Sequence, residues 1–218
     1  MSSSRHDDPS LVSPMDMKRV GGIVLTGGAS SRLGRDKALV EVSGEALAAR
    51  AARLLAVLAA PVVEAGPGRS GLSAVTDDPG GSGPLSGVVA GARELDRLGW
   101  RGPVLVLACD MPGVSGELLG KLASWPGDCS VIPHVGGHPE VLCARYSHDD
   151  LLIATDAFAA GERSLSRLVT RLSSPCLPGE QEWAEVGGAA AFADVDTPED
   201  LERARAAGSA GARRIPTR

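Results

Sequence analysis

Aromatic residues are nearly missing from this chain: of 218 residues only two are Phe, one is Tyr and three are Trp. The core must therefore be built from Val, Leu, Ile and Ala. A basic excess is missing too. The net charge of −5 removes the basic face that general nucleic-acid or membrane-surface binding needs, so neither is expected as a partner. An anionic ligand would have to be held by a local cluster. No apolar run approaches the ~20 residues of a membrane span, and residues 1–20 are polar with charges of both signs, unlike a secretory signal. The four cysteines, Cys109, Cys129, Cys143 and Cys176, form no C-x-x-C pair and no zinc spacing. A chain of this length does not need disulfide staples. A reduced, cytoplasmic setting is expected.

What is present organises itself around residues 20–42. Ile23-Val24-Leu25 is a short apolar run of the kind that forms a strand buried on both faces. Gly27 and Gly28 then free the backbone where that strand ends, and Arg32, Arg35 and Lys37 place three cations within six residues. Small residues let main-chain N–H groups approach phosphate oxygens, and the cations neutralise what charge remains. A polyphosphate is the first ligand to consider. Two other phosphate loops are excluded by spacing. After Gly28 the next glycine is Gly34, followed by Arg35 instead of the Lys-Ser/Thr of a P-loop, and the adjacent Gly27-Gly28 pair is not a G-x-G-x-x-G fingerprint.

Strand-like and helix-like segments alternate along the rest of the chain. Short strands are predicted at Ala38–Val42, Val62–Glu64, Leu72–Thr76, Pro103–Ala108, Val131–Ile132, Val141–Tyr146 and Phe192–Asp196. Helices are predicted at Glu45–Ala59, Leu85–Leu98, Ser115–Ala123, Asp149–Ala160, Ser164–Leu172 and Pro198–Ala206, the last opened by Thr197 as cap and Pro198 as first residue. The alternation predicts an α/β fold, a three-layer, mostly parallel sheet with helices on both faces. Residues 1–19 are expected as a disordered leader, 20–207 as a single domain and 208–218 as a flexible tail.

Four carboxylates fall at predicted strand ends: Asp77, Asp110, Asp194 and Asp196. Open α/β sheets bind ligands at the carboxyl edge, and Asp110 directly follows the most apolar strand. Mg²⁺ prefers one or two carboxylates plus substrate phosphates, which suits Asp110 with one of the late pair. A phosphate cradle, a lysine and an acid together suggest nucleotidyl transfer, with the protein positioning and neutralising instead of forming covalent bonds. Lysine is scarce, only Lys18, Lys37 and Lys121, so its use at the cradle is informative. His134 and His138 have the i, i+4 spacing of a helical zinc pair, but Gly136 and Gly137 between them and Pro133 and Pro139 outside forbid a helix. A loop there would let His138 touch a substrate. Cys109 reads as a buried small hydrophobe.

These motifs resemble the molybdenum cofactor guanylyltransferases, MobA-like members of the nucleotide-diphospho-sugar transferase fold, a Rossmann-like arrangement. The family's opening L-A-G-G-x-S-x-R-x-G-x-D-K is matched by L-T-G-G-A-S-S-R-L-G-R-D-K, Leu25 to Lys37. Further matches follow in the family's order: Gly83-Pro84-Leu85-Ser86-Gly87, Cys109-Asp110-Met111-Pro112, His138-Pro139, Ala160-Gly161-Glu162-Arg163 and Asp194-Val195-Asp196-Thr197-Pro198. The resemblance implies transfer of GMP from MgGTP to the phosphate of molybdopterin, with GTP and molybdopterin as substrates and transient contact with molybdoenzymes or their chaperones. It implies catalytic roles for Lys37, Arg32 and Asp110, and nucleotide contacts from Leu25, Thr26, Gly27, Gly28, Lys37, Asp77, Gly83, Pro84 and Leu85. It further implies Mg²⁺ on Asp110 with Asp196 or Asp194, and acceptor contacts from His138 and Arg163.

Three features depart from the pattern. Thr26 replaces the usual Ala, Glu64 stands where some members carry an Asn near the nucleoside, and the late motif reads Asp-Val-Asp in place of Asn-x-Asn. The rivals are a related transferase that uses CTP on the same pterin, a sugar-phosphate nucleotidyltransferase, and a non-catalytic module that binds and delivers the cofactor. Loss of Lys37 or Asp110 would favour the last, and neither is lost.

Overall fold

The structure, a computed structural model, describes residues 20–27, 36–76 and 83–212. The expected leader lies outside the described residues. Strand β1, Gly21–Leu25, is buried at every position, as its unbroken apolar run requires. Asp36 then caps a single 3₁₀ turn, Lys37–Leu39, its carboxylate accepting the Ala38 N–H at 3.1 Å. A small hairpin of β2, Glu41–Val42, and β3, Glu45–Ala46, leads into helix α1, Leu47–Leu58. Strands β4, Val62–Ala65, and β5, Ala74–Val75, precede helix α2, Pro84–Arg97, and strand β6, Val104–Ala108. Helix α3, Gly116–Ala123, is capped by Ser115, whose hydroxyl accepts the Leu118 N–H at 3.1 Å. Strands β7, His134–Val135, and β8, His138–Pro139, form a second hairpin, followed by β9, Cys143–Tyr146, and helix α4, His148–Ala159. Short helices α5, Leu165–Leu168, and α6, Gly188–Ala191, precede the last helix, α7, Pro198–Ala212.

The central sheet has five strands in the order β5-β4-β1-β6-β9. All neighbours are parallel except β9, which runs antiparallel to β6. The chain builds outward from β1 through β4 to β5, then returns to lay β6 on the other side of β1. The carboxyl ends of β1 and β6 therefore flank the point where strand order reverses, the place where open α/β sheets bind ligands.

Alternate residues of the two central strands feed two separate cores. Val24, Leu105 and Leu107 pack with α1 and α3 on one face; Ile23, Leu25, Val104, Val106 and Ala108 pack with α2 and α4 on the other. This is the three-layer arrangement predicted above. Helix α2 lies directly on β1 because Gly91 has no side chain there: a Cβ would sit 2.8 Å from Ile23 Cγ2. At the antiparallel edge the buried Arg145 donates to the carbonyls of Ala123 (3.3 Å), Trp125 (2.7 Å), Gly127 (2.7 Å) and Cys129 (3.0 Å), tying the end of α3 to β9. The same edge brings together two cysteines far apart in sequence, Cys129 and Cys176, as free thiols with Sγ atoms 2.8 Å apart. Among the described residues no helix is long and apolar enough to cross a membrane.

Several expected elements differ. Of the expected strand Ala38–Val42 only Glu41–Val42 forms, as β2, because the Asp36 cap winds Lys37–Leu39 into a 3₁₀ helix before the chain extends. Val131 makes only isolated bridges, to Arg145 and Cys176. Ser164–Leu172 divides into α5 and a 3₁₀ turn at Val169–Arg171. Phe192–Asp196 is not a strand: its buried residues are Phe192 and Val195, three apart, and the segment is irregular between α6 and α7. The 3₁₀ helix Glu180–Val186 and α6 ahead of it lack a periodic apolar pattern and were not anticipated. Helix α7 runs past the expected Ala206, through Ala212.

Candidate functional site

Three side chains from distant parts of the chain meet at the β1/β6 crevice. Lys37 is placed by the 3₁₀ turn after the glycine-rich stretch. Asp110 follows β6, where the Cys109 N–H donates to Leu25 O at 3.0 Å and so holds it beside the end of β1. Asp196 stands just before α7, in a segment tied to Asp110 by the Val195 N–H donating to Asp110 O at 2.9 Å. The Lys37 ammonium donates to Asp196 Oδ1 and lies 3.4 Å from Asp110 Oδ2. Burial alone would lower the Lys37 ammonium, but its hydrogen bond to Asp196 and the field of Asp110 outweigh it and hold it above its ordinary value. Burial pushes the Asp110 carboxyl up; Lys37 opposes the rise and Asp194 adds to it. The other Asp110 oxygen, Oδ1, is buried and has no hydrogen-bond partner.

An unpartnered oxygen on a buried carboxylate is costly unless something supplies positive charge or a donor. With Asp194 adding negative field and Asp196 nearby, this oxygen is suited to a hard cation. Among the described residues no group of three or more His, Cys, Asp or Glu side chains is close enough to cage a metal alone. A cation here would share its coordination with a ligand that brings its own oxygens.

Glu64, on the opposite side of β1, behaves differently. It is completely buried and accepts five hydrogen bonds: from the Thr26 hydroxyl, the N–H groups of Gly68 (2.8 Å), Arg69 (2.7 Å) and Ser70 (2.7 Å), and the Ser70 hydroxyl (2.5 Å). Burial pushes its carboxyl up, but the Ser70 and Thr26 hydroxyls and the backbone N–H groups of Arg69 and Ser70 outweigh that and hold it below the usual range. Its lone pairs are taken up by the chain's own donors. Thr26 in place of Ala is what completes this arrangement.

The remaining expected site residues are spread around the same edge. Gly83 caps α2, whose first residue is Pro84; Leu85 is fully buried, so only its main chain can face a ligand. A Cβ on Gly83 would lie 3.4 Å from Arg163 O, which brings the Arg163 turn against the start of α2. The Arg163 guanidinium is folded over the Phe158 ring, 4.3 Å from its centroid, and donates to Phe158 O and Glu162 O at 2.9 and 2.8 Å. It thus closes the end of α4. His138 is exposed on the β7–β8 hairpin, which turns through Gly136 and Gly137. Asp194 is exposed. Cys109 is buried and its thiol is pushed up to about 12, chiefly by burial, so it is no nucleophile. Gly28, Arg32, Asp77 and the neighbouring Asp78 lie outside the described residues.

Sequence reasoning missed Asp36, Arg69 and Glu140. Asp36 precedes a helical turn, a cap signal that was legible. Glu140 carries no such mark: its carboxyl is raised by burial, then by Asp194, with His138 opposing, so the three share one electrostatic neighbourhood.

Comparison with known proteins places this geometry. Residues 22–176 match the family described as MobA-like NTP transferase domain. A probable molybdenum cofactor guanylyltransferase from Opitutus terrae is 36% identical over 200 residues, covering 85% of this chain and 95% of that protein. The molybdenum cofactor guanylyltransferase of Rhodobacter capsulatus is 33% identical, covering 85% and 95%. Among solved structures, molybdopterin-guanine dinucleotide biosynthesis protein A from Archaeoglobus fulgidus is similar with a TM-score of 0.69 at 24% identity, covering 88% of this chain and all of that one. The 4-diphosphocytidyl-2C-methyl-D-erythritol synthase of Anaerococcus prevotii is similar with a TM-score of 0.63 at 13% identity, covering 88% and 96%. The two structural likenesses establish a shared fold.

Proposed function

The chain belongs to the MobA-like NTP transferase family, and on that premise we propose that it transfers GMP from MgGTP to the phosphate of molybdopterin, releasing pyrophosphate. The observation that carries this reading is the juxtaposition of Lys37 with Asp110, whose buried Oδ1 lacks a partner, at the β1/β6 switch point. The acceptor phosphate attacks the α-phosphorus while the bond to the β,γ-diphosphate breaks. The chain's task is to hold these anions in line and to neutralise charge as the diphosphate departs.

Lys37 supplies a compact positive charge to the phosphates, raised in pKa so that it stays protonated throughout the neutral range. Asp110, with Asp196 or Asp194, would hold Mg²⁺, which when bound withdraws charge from the phosphate oxygens. The sheet already uses Leu25 O, bonded to Cys109 N–H, and Thr26 N–H, bonded to Ala65 O at 3.1 Å. Main-chain contact with the nucleotide therefore falls to Thr26 O and to Gly27. The amino end of α2, with Gly83 as cap, offers the positive end of a helix at the same edge. Gly28, Arg32 and Asp77 complete the nucleotide side in this reading. His138, exposed on its hairpin and sharing an electrostatic neighbourhood with Glu140 and Asp194, faces the acceptor in this reading, and Arg163 braces the start of α2 from the end of α4.

Purified protein given Mg²⁺, molybdopterin and GTP, CTP or ATP in turn should release pyrophosphate chiefly with GTP. A preference for CTP would sink the guanylyl assignment. Stoichiometric pterin binding without turnover on any nucleotide would point to a delivery module.

A further inference from the structure

We propose that Glu64 and Arg69 are positioning residues that set where Thr26 and Lys37 stand relative to the bound nucleotide, an inference that rests on the nucleotide site proposed above. Neither residue touches the proposed substrate. Glu64 gathers the turn 66–70 through the N–H groups of Gly68, Arg69 and Ser70 and, with the same carboxylate, takes the Thr26 hydroxyl. That turn lies hard against the end of β1. A Cβ on Gly66, whose φ is +154°, would come within 2.1 Å of Thr26 Oγ1 and 2.9 Å of Gly27 N. From the other side of the same turn, Arg69 Nε donates to Asp36 Oδ2 at 2.8 Å. Asp36 in turn uses Oδ1 to cap the 3₁₀ turn that begins with Lys37.

One short turn thus grips the chain at two places, Thr26 on one side of residues 28–35 and Asp36 on the other. The two places carry the proposed nucleotide contacts, the main chain at Thr26 and Gly27 and the ammonium of Lys37. Their separation is set by Glu64 and Arg69 before any ligand arrives, which is the condition for strong electrostatic stabilisation without reorganisation. A carboxylate is required at position 64 because all five of its partners are donors. Gln would turn an NH₂ group toward some of them.

The test is titration calorimetry with MgGTP, together with steady-state kinetics, on the wild type, Glu64→Gln, Arg69→Ala and Arg69→Lys. The Arg69–Asp36 pair is partly exposed on both sides, so Arg69→Ala leaves the fold intact even where Glu64→Gln does not. We expect Kd for GTP to rise about tenfold in Glu64→Gln with kcat at saturation changing less than twofold, Kd to rise about threefold in Arg69→Ala with a fall in kcat of similar size because Lys37 also meets the departing diphosphate, and Arg69→Lys to recover most of both losses. A merely structural role would lower the binding stoichiometry and leave Kd unchanged, and that result overturns the inference. So does an unchanged Kd in Arg69→Ala. Amide hydrogen exchange without ligand keeps the two readings apart. If wild type binds no MgGTP, the proposed function fails. Faster exchange at Thr26–Gly27 and Ala38–Val40 in the variants would still support positioning, and unchanged exchange would overturn it.

Discussion

Strands β4 and β6 flank β1 on either side, and each carries a carboxylate to the same edge of the sheet, with opposite fates. Glu64 is completely buried, satisfied by five donors, and held below the ordinary carboxylate range. Asp110 is mostly buried, keeps one oxygen without a partner, and is pushed up. Proximity to the crevice does not distinguish them. Saturation does: a buried charge whose lone pairs are all used stabilises the fold, whereas one left short awaits a ligand.

The largest effect expected from breaking this contrast is on turnover. Asp110→Asn should lower kcat by ~10³-fold or more, on the scale of losing a key electrostatic group. Its unfolding free energy in urea should stay within about 1 kcal/mol of wild type or rise, since the native environment disfavours the charge it removes. Near-normal pyrophosphate release by this variant would remove Asp110 from the site. Glu64→Gln should show the reverse pattern. Disturbing a saturated buried network should cost about 2 kcal/mol of stability in urea unfolding, while kcat at saturating GTP remains close to wild type.

The two carboxylates also separate by pH. Glu64 titrates below its ordinary value in the folded chain, so its stabilisation is complete above the ordinary carboxylate value and is lost as pH falls through the lower, folded one. The stability gap between wild type and Glu64→Gln should therefore narrow between about pH 5 and pH 2. A gap that stays constant over that range would show the carboxylate's charge to be irrelevant. The smallest effect is a control away from both groups: Ser115→Ala removes the cap of α3 and should cost about 1 kcal/mol with no change in KM.

Much of this was legible in the residues. The unbroken apolar runs at β1 and β6 announced strands buried on both faces, and Asp110 was marked by standing directly after the second. The spacing Leu25 to Lys37 points to a phosphate site, and its described ends stand at the carboxyl end of β1 and beside Asp110. The meeting of Lys37 with Asp196 was not legible, because the irregular segment that delivers Asp196 is placed by the packing of Trp183 and Phe192 and not by any periodic pattern. The role of Glu64 was not legible for a related reason. Its five donors are mostly backbone N–H groups of a turn, and the side chains around it do not reveal which way those groups point. Arg163 had a motif in its favour, yet the structure shows it also closing the helix before it.

The scarcity of aromatics has an optical consequence. Three of the six aromatic side chains form one group, Trp125 stacked on Trp183 with centroids 5.8 Å apart and Phe192 edge-on to Trp183 at 5.9 Å. Trp100, the remaining tryptophan, packs separately near Gly21 and Gly102. Two indoles this close couple their excited states and add a paired signal to the ultraviolet circular dichroism of the chain. That pair is seated next to the segment carrying Asp194 and Asp196, and its signal is an intrinsic, label-free gauge of whether that segment is docked.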